Sequence, residues 1–149
     1  AGAGVLTRAP KGRSAESQIR HQRETVVGRT DPELLERIDD FSHRVVDVAD
    51  AIAEQRRSSR VVDQIYGCGS GVGANCYESD EAVSRKDFCK GIGWAIKELS
   101  ECRYWLRFVV RRGWLPESRV APLQDENRQL KSILGAILSR TRRKDAGDT

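Results

Sequence analysis

Leu34, Ile38, Phe41, Val45, Val48 and Ile52 recur at spacings of four, three, four, three and four. That alternation holds one apolar stripe on one side of an α-helix and is the period at which helices pack along their length, so the segment must lie against other helices. The same rhythm returns in Phe88, Ile92, Ala95, Leu99, Cys102, Leu106 and Val109. Two further apolar segments run through Val62, Ile65, Gly69, Val72 and Cys76, and through Leu123, Leu130, Ile133, Leu134, Ile137 and Leu138. No segment carries the period-two alternation of a half-buried strand. Four amphipathic helices with short connections predict an all-α, antiparallel up-down-up-down four-helix bundle, because short loops force neighbours to run antiparallel.

Local signals set the boundaries. Asp31, Pro32 and Glu33 start the first helix with a capping oxygen, a preset φ and an early acid facing the positive helix end; it should run to about Arg57. Ser58 and Ser59 offer a cap for the second helix, and Ser84-Arg85-Lys86-Asp87 is a capping-box variant opening the third. Gly113 suits the left-handed residue that closes a helix, with Trp114 and Leu115 folding back on the last turn. The fourth helix is expected to start between Ser118 and Pro122 and to fray over Arg140 to Lys144. The expected organisation is a basic, mostly disordered tail over residues 1–30, a bundle over 31–144, and a polar tail over 145–149. Within the first tail, Ser14 to Val27 is compatible with a transient helix.

The charge is unevenly placed. Residues 1–30 hold six Lys/Arg against two Glu, while the remaining twenty of each sign cancel over 31–149, so the tail carries the whole excess of +4. Nothing resembles a membrane span or an apolar signal-peptide core, and the expectation is a cytosolic protein. Cys68, Cys76, Cys89 and Cys102 lie far apart with no CxxC pair, inside helical segments, and read as small reduced core residues.

Few residues carry chemistry. The run Gly67 to Asn75 invites a phosphate-loop reading, but it lacks the preceding strand and the Gly-Lys-Ser/Thr ending. It reads instead as a helix whose small residues admit a close neighbour, and its interior glycines should make it the least stable of the four. His21 and His43 are the only histidines; they form neither a di-iron Glu-x-x-His pair nor a zinc helix, and no nucleophile has a placed base. No metal, cofactor, small-molecule substrate or catalytic residue is expected. Glu98 and Glu101 share a helical face and, with Asp87 and Glu78, form an acidic cluster that reads as architectural. Arg103, Arg107 and Arg111 follow at i, i+4 beside Tyr104, Trp105 and Trp114. Such a stripe can hold nucleic acid; the same residues can complement a helix C-terminus and fill an interface, and both readings stand. The topology should gather Arg56, Arg57, Arg60, Arg111 and Arg112 at one end of the bundle, and Arg8, Lys11, Arg13, Arg20, Arg23 and Arg29 make the tail a second basic zone. Trp94, Trp105 and Phe108 lie off the main seam of the third helix and are expected to form a self-association face.

From Phe41 to about Thr141 the chain resembles the family called four helix bundle proteins, first noted as products of intervening sequences in 23S ribosomal RNA genes. The specific parts are Gly71-Val72-Gly73-Ala74-Asn75-x-x-Glu78, similar to the family's Ser-Ile-Gly-Ala-Asn-x-x-Glu, and Ser84-Arg85-Lys86-Asp87-Phe88, followed by Ala95-x-Lys97-Glu98-x-x-Glu101-x-x-Tyr104-Trp105-Leu106. The resemblance implies a protomer that assembles into a ring of five, without enzymatic activity, with nucleic acid or ribonucleoprotein as partner. It assigns Gly73, Asn75, Glu78, Ser84, Asp87, Phe88, Glu98 and Glu101 to the bundle's architecture. A sister group is also similar: the accessory proteins of diversity-generating retroelements, basic pentamers that bind a reverse transcriptase. Two functions of different class follow, a nucleic-acid-associated oligomer and a purely structural, protein-binding oligomeric scaffold.

Overall fold

The computed structural model describes residues 30–147. Within them the chain forms α1 (Pro32–Glu54), α2 (Ser59–Asp80), α3 (Arg85–Arg111) and α4 (Glu117–Gly147), with no strand among the described residues. α1 packs on α2, α2 on α3 and α3 on α4, and α4 returns to α1 along a smaller contact: the up-down-up-down bundle. The expected disordered tail, with its transient helix, lies outside the described residues apart from Thr30. That residue is buried and donates its backbone N–H to Asp80 Oδ1 at 3.1 Å.

The helix ends follow their local chemistry. Asp31 Oδ1 accepts the Glu33 N–H at 2.8 Å with Pro32 at the first helical position. α1 stops at Glu54, short of the expected Arg57, because Arg56 turns left-handed at φ 55° and Arg57 donates its N–H back to Ile52 O at 3.1 Å. Gly113, at φ 70°, closes α3 in the same way, with the Trp114 N–H on Val109 O. Ser58 precedes α2 without a side-chain capping bond, whereas Ser84 Oγ accepts the Asp87 N–H at 3.1 Å. α4 begins at Glu117, one residue ahead of the expected interval, and takes Pro122 into its second turn. It also continues through Arg140 to Lys144 as helix, where Arg85 Nη1 meets Asp145 Oδ1 at 3.5 Å.

The core follows the seams, with instructive exceptions. All seven seam residues of α3 are fully buried. On α1, Ser42 and Ala49 turn inward while Leu34 and Val48 sit at the edge of the core; on α2, Val61 takes the inside position expected of Val62. On α4 the interior line is Val120, Leu123, Asn127, Leu130 and Leu134, with Ile133, Ile137 and Leu138 half-buried. Asn127 Nδ2 donates to Leu99 O at 2.8 Å, a polar tie from α4 to the backbone of α3. The four cysteines are free and buried, and burial pushes the Cys76 thiol up to about 12. Between α1 and α4, Arg37 holds Glu126 in a two-pronged pair, Nε to Oε1 at 2.5 Å and Nη2 to Oε2 at 2.9 Å.

Glycine decides how α2 is seated. A Cβ on Gly69 would stand 2.6 Å from Val45 Cγ1 and 2.9 Å from Val45 Cβ, and one on Gly73 would stand 2.8 Å from Ser42 Oγ. All three distances are below van der Waals contact, so α1 lies directly on the α2 backbone. On the other side Glu98 covers Gly71, and Gly91 of α3 leaves no room for a methyl group against Ser79. Gly67 faces open space. Gly69→Ala should therefore lower stability by about 1–3 kcal/mol through overpacking against a β-branched neighbour, whereas Gly67→Ala should raise it by about 0.5–1 kcal/mol through helix propensity alone. Opposite shifts of the chemical-denaturation midpoint are the expected result. Ser84→Ala should cost about 1 kcal/mol by removing the α3 cap, measured in the same way.

Candidate functional site

Steps of four residues drift only slowly around a helix of 3.6 residues per turn, so Arg103, Arg107 and Arg111 stay on one side of α3, the side toward α4. There they line a groove of about 530 Å³ whose other wall is Glu117, Val120, Ala121, Gln124 and Arg128 of α4. All three arginines are exposed, and their guanidinium groups make no ion pair with any described residue. Arg128 pairs with Asp125 at 3.0 Å. Gln124 Nε2 donates to Arg103 O at 3.2 Å and fixes the two walls to each other.

The groove opens toward the end of the bundle where α1 and α3 finish. Trp114 is the pivot there: Arg57 lies over its ring at 5.4 Å and Arg112 at 6.0 Å, and Gln55 Nε2 donates to its carbonyl at 2.9 Å. The expected gathering of arginines is thus present, two of them stacked on one indole, with Arg56, Arg60 and Arg111 exposed at the same end. Arg8, Lys11, Arg13, Arg20 and Arg23 lie outside the described residues. Sequence reasoning missed Arg128, since nothing in the α4 pattern says that its side chain faces the α3 stripe.

The other side of α3 is acidic and aromatic. A second groove of about 530 Å³, between α2 and α3, is lined by Asn75, Glu78, Asp87, Lys90, Trp94 and Glu98, together with Ser79 and Gly91. It collects much of the motif that carries the family resemblance. Asn75 Nδ2 donates to Gly71 O at 2.8 Å, and Ser79 Oγ donates to Asn75 O at 2.7 Å, so both bonds run within α2. Desolvation, then the neighbouring Glu101, holds the Glu98 carboxyl above its ordinary range. Glu101 Oε1 accepts the Trp105 indole N–H at 3.4 Å. Gly73 is buried against Ser42, Phe88 lies in the core, and Glu78 is exposed. Of the three expected interface aromatics, Trp105 and Phe108 rest against the core and on each other, with ring centroids 5.4 Å apart, while Trp94 is half-exposed beneath Lys97. Tyr104 is the most exposed aromatic of α3. Among the described residues no cluster of His, Cys, Asp and Glu could hold a metal ion, and no helix is long and apolar enough to cross a membrane.

A solved structure from Bacteroides thetaiotaomicron, described as a protein with unknown function from the S23 ribosomal protein family, is similar at a TM-score of 0.67 and 24% identity, over 70% of this chain and 97% of that one. At that identity the likeness is one of fold. No curated protein matches. The model of the family described as 23S rRNA-intervening sequence protein matches residues 31–136, from the cap of α1 into the core-facing part of α4. With that match covering most of its length, the chain belongs to the 23S rRNA-intervening sequence protein family.

Proposed function

We propose that this bundle is a non-enzymatic, nucleic-acid-associated protein that lays a single strand along the α3/α4 groove. The observation that carries the reading is the unpaired row Arg103, Arg107 and Arg111, which lines an open groove with Arg128 on its far wall. Successive members of the row are about 6 Å apart along the helix axis, a step comparable with that between neighbouring phosphates on one strand. The exposed Tyr104, next around the helix, offers a ring on which a base can stack. Arg56, Arg57, Arg60 and Arg112 extend the field past the open end of the groove, and residues 1–30 bring six further cations. All these contacts are to phosphate and π-face, so binding is indifferent to sequence.

The finer reading is a homo-oligomer, a ring of five, in which the basic row repeats about the axis and gains by multivalency. A reverse transcriptase is the kind of nucleic-acid-handling partner such a ring would serve as accessory factor. The half-exposed Trp94 and the acidic groove beside it offer a protein-facing surface on the opposite side of α3.

The test is filter binding of mixed-sequence single-stranded RNA and DNA from about 50 to 200 mM salt, where phosphate contacts lose much of their strength. Replacing Arg103, Arg107 and Arg111 with Ala should flatten the log–log salt slope by about 2, at about 0.7 per contact on a single strand. Replacing Arg140, Arg142 and Arg143, an equal change of charge on the far part of α4, should leave the slope nearly unchanged. Equal slopes for the two triple variants would show a diffuse field rather than this groove. No binding by the parent chain at the lowest salt would leave the protein-binding scaffold as the function.

A further inference from the structure

Charge in this chain is divided between its helix pairs. α1 carries seven carboxylates against Arg37 and Arg44, and α2 carries three against Arg60, so the two helices together sum to −7, whereas residues 81–149 hold fifteen Lys/Arg against nine acids. Arg37 is already engaged with Glu126 of α4. The nucleic-acid reading uses the basic half of the molecule and gives the acidic half no task. Between α1 and α2 runs a groove of about 490 Å³. Tyr66, Ser70, Gly73, Ala74 and Tyr77 form one stripe along the α2 side of it; the three middle residues are too small to fill the space, and the two tyrosines stand half-exposed toward its ends. Eleven residues, three turns of helix or about 16 Å, separate those tyrosines. The opposite wall is Asp39, Ser42, His43 and Val46 of α1, and among the described residues no Lys or Arg lines the groove.

Two groups in the α1 wall lack the partners their chemistry asks for. Ser42 is 6% exposed, yet its hydroxyl has no hydrogen-bond partner among the described residues. That hydroxyl is turned into the gap left by Gly73, where a Cβ would stand 2.8 Å from Ser42 Oγ and 3.4 Å from Ser42 Cβ. Asp39 meets His43 Nε2 at 3.6 Å, beyond hydrogen-bond reach, so its carboxylate is open to a donor. The field at this end is negative: after partial desolvation, the charges of Asp39 and Glu36 push the Tyr77 phenol above its ordinary value.

We propose that the α1/α2 groove binds a linear polyamine, a chain of methylenes with ammonium groups at its ends and along its length. One terminal ammonium donates to the Asp39 carboxylate and lies against the Tyr77 ring, and the other lies against the Tyr66 ring; an extended tetraamine such as spermine is about as long as the separation of the two tyrosines. An inner nitrogen donates to Ser42 Oγ, and the methylenes cover Gly73 and Ala74. Each part of the ligand answers a feature of the groove. A cation over an aromatic face is attracted by the ring quadrupole, a donor reaching Ser42 satisfies a buried hydroxyl that is otherwise orphaned, and a polycation matches the charge of the two helices that form the walls. An inorganic cation has no methylenes to lay on the small-residue floor, and a neutral chain has nothing to offer Asp39. The site is separate from the α3/α4 groove and stands whether or not that groove holds nucleic acid.

Equilibrium dialysis of labelled spermine against the full chain, freed of nucleic acid, tests this at about 150 mM salt, where diffuse surface attraction is largely screened. One spermine per chain is the expected result, with putrescine, too short to reach both tyrosines, bound at least about tenfold more weakly. Asp39→Asn should weaken spermine about tenfold by removing a charge-assisted hydrogen bond. Asp40→Asn makes the same change of charge at the next, exposed position of α1 and should leave the affinity within about twofold. Ser42→Ala should weaken spermine about threefold without lowering the denaturation midpoint, because the hydroxyl it removes has no partner in the unliganded protein. Absence of saturable binding overturns the proposal. So do equal losses at Asp39 and Asp40, or several spermines per chain displaced by magnesium chloride at equal ionic strength, either of which shows a diffuse counter-ion cloud. Tetralysine bound more tightly than spermine overturns it as well, by assigning the groove to the basic segment of a partner protein.

Discussion

The seating of α2 against its neighbours rests on the absence of side chains at Gly69 and Gly73 toward α1, at Gly71 toward α3, and at Gly91 of α3 toward α2. Helix axes usually stand about 8–10 Å apart, the distance set by the side chains between them. Removing those side chains brings backbone against neighbour and adds dispersion contacts in the middle of α2. Val45 and Ser42 on one side and Ser79 and Glu98 on the other are what the glycines face.

The outer face of α3 shows why formal charge is a poor guide to this molecule. Over residues 31–149 the charges cancel, yet Arg103, Arg107 and Arg111 stand on the α4 side of α3 and Glu98 and Glu101 on the α2 side. The result is a pair of grooves of similar size and opposite character on the two sides of one helix. A molecule can be neutral in sum and strongly structured in local field, and it is the local field that a partner meets.

The sequence was most legible where large apolar residues alone made the seam, as on α3, and least legible where small or polar residues did so. Ser42 occupies an interior position that no hydrophobic count would choose, because Gly69 and Gly73 of α2 arrive there. The seven-residue gap between Leu123 and Leu130 is filled by Asn127, a polar residue acceptable in the core because Leu99 O receives its amide. α1 ends before the expected Arg57 because Arg56 takes the left-handed turn usually announced by glycine. Of the candidate site, the arginine row and its gathering at one end were readable from spacing and topology. The far wall with Arg128 was not, since it depends on how α4 rotates about its own axis. The α1/α2 groove was equally hidden, because its existence follows from what its floor residues lack.

The packing of α2 also bears on the order in which the bundle assembles. In isolation this helix has the weakest tendency to form, as its glycines at positions 67, 69, 71 and 73 carry the largest backbone entropy of any residue. In the folded chain it packs on both helices that flank it in sequence, α1 before and α3 after. Helix nucleation is unfavourable even for good formers, so α2 has no route to order ahead of its neighbours. Its hydrogen bonds and its tertiary contacts with α1 and α3 therefore have to appear together.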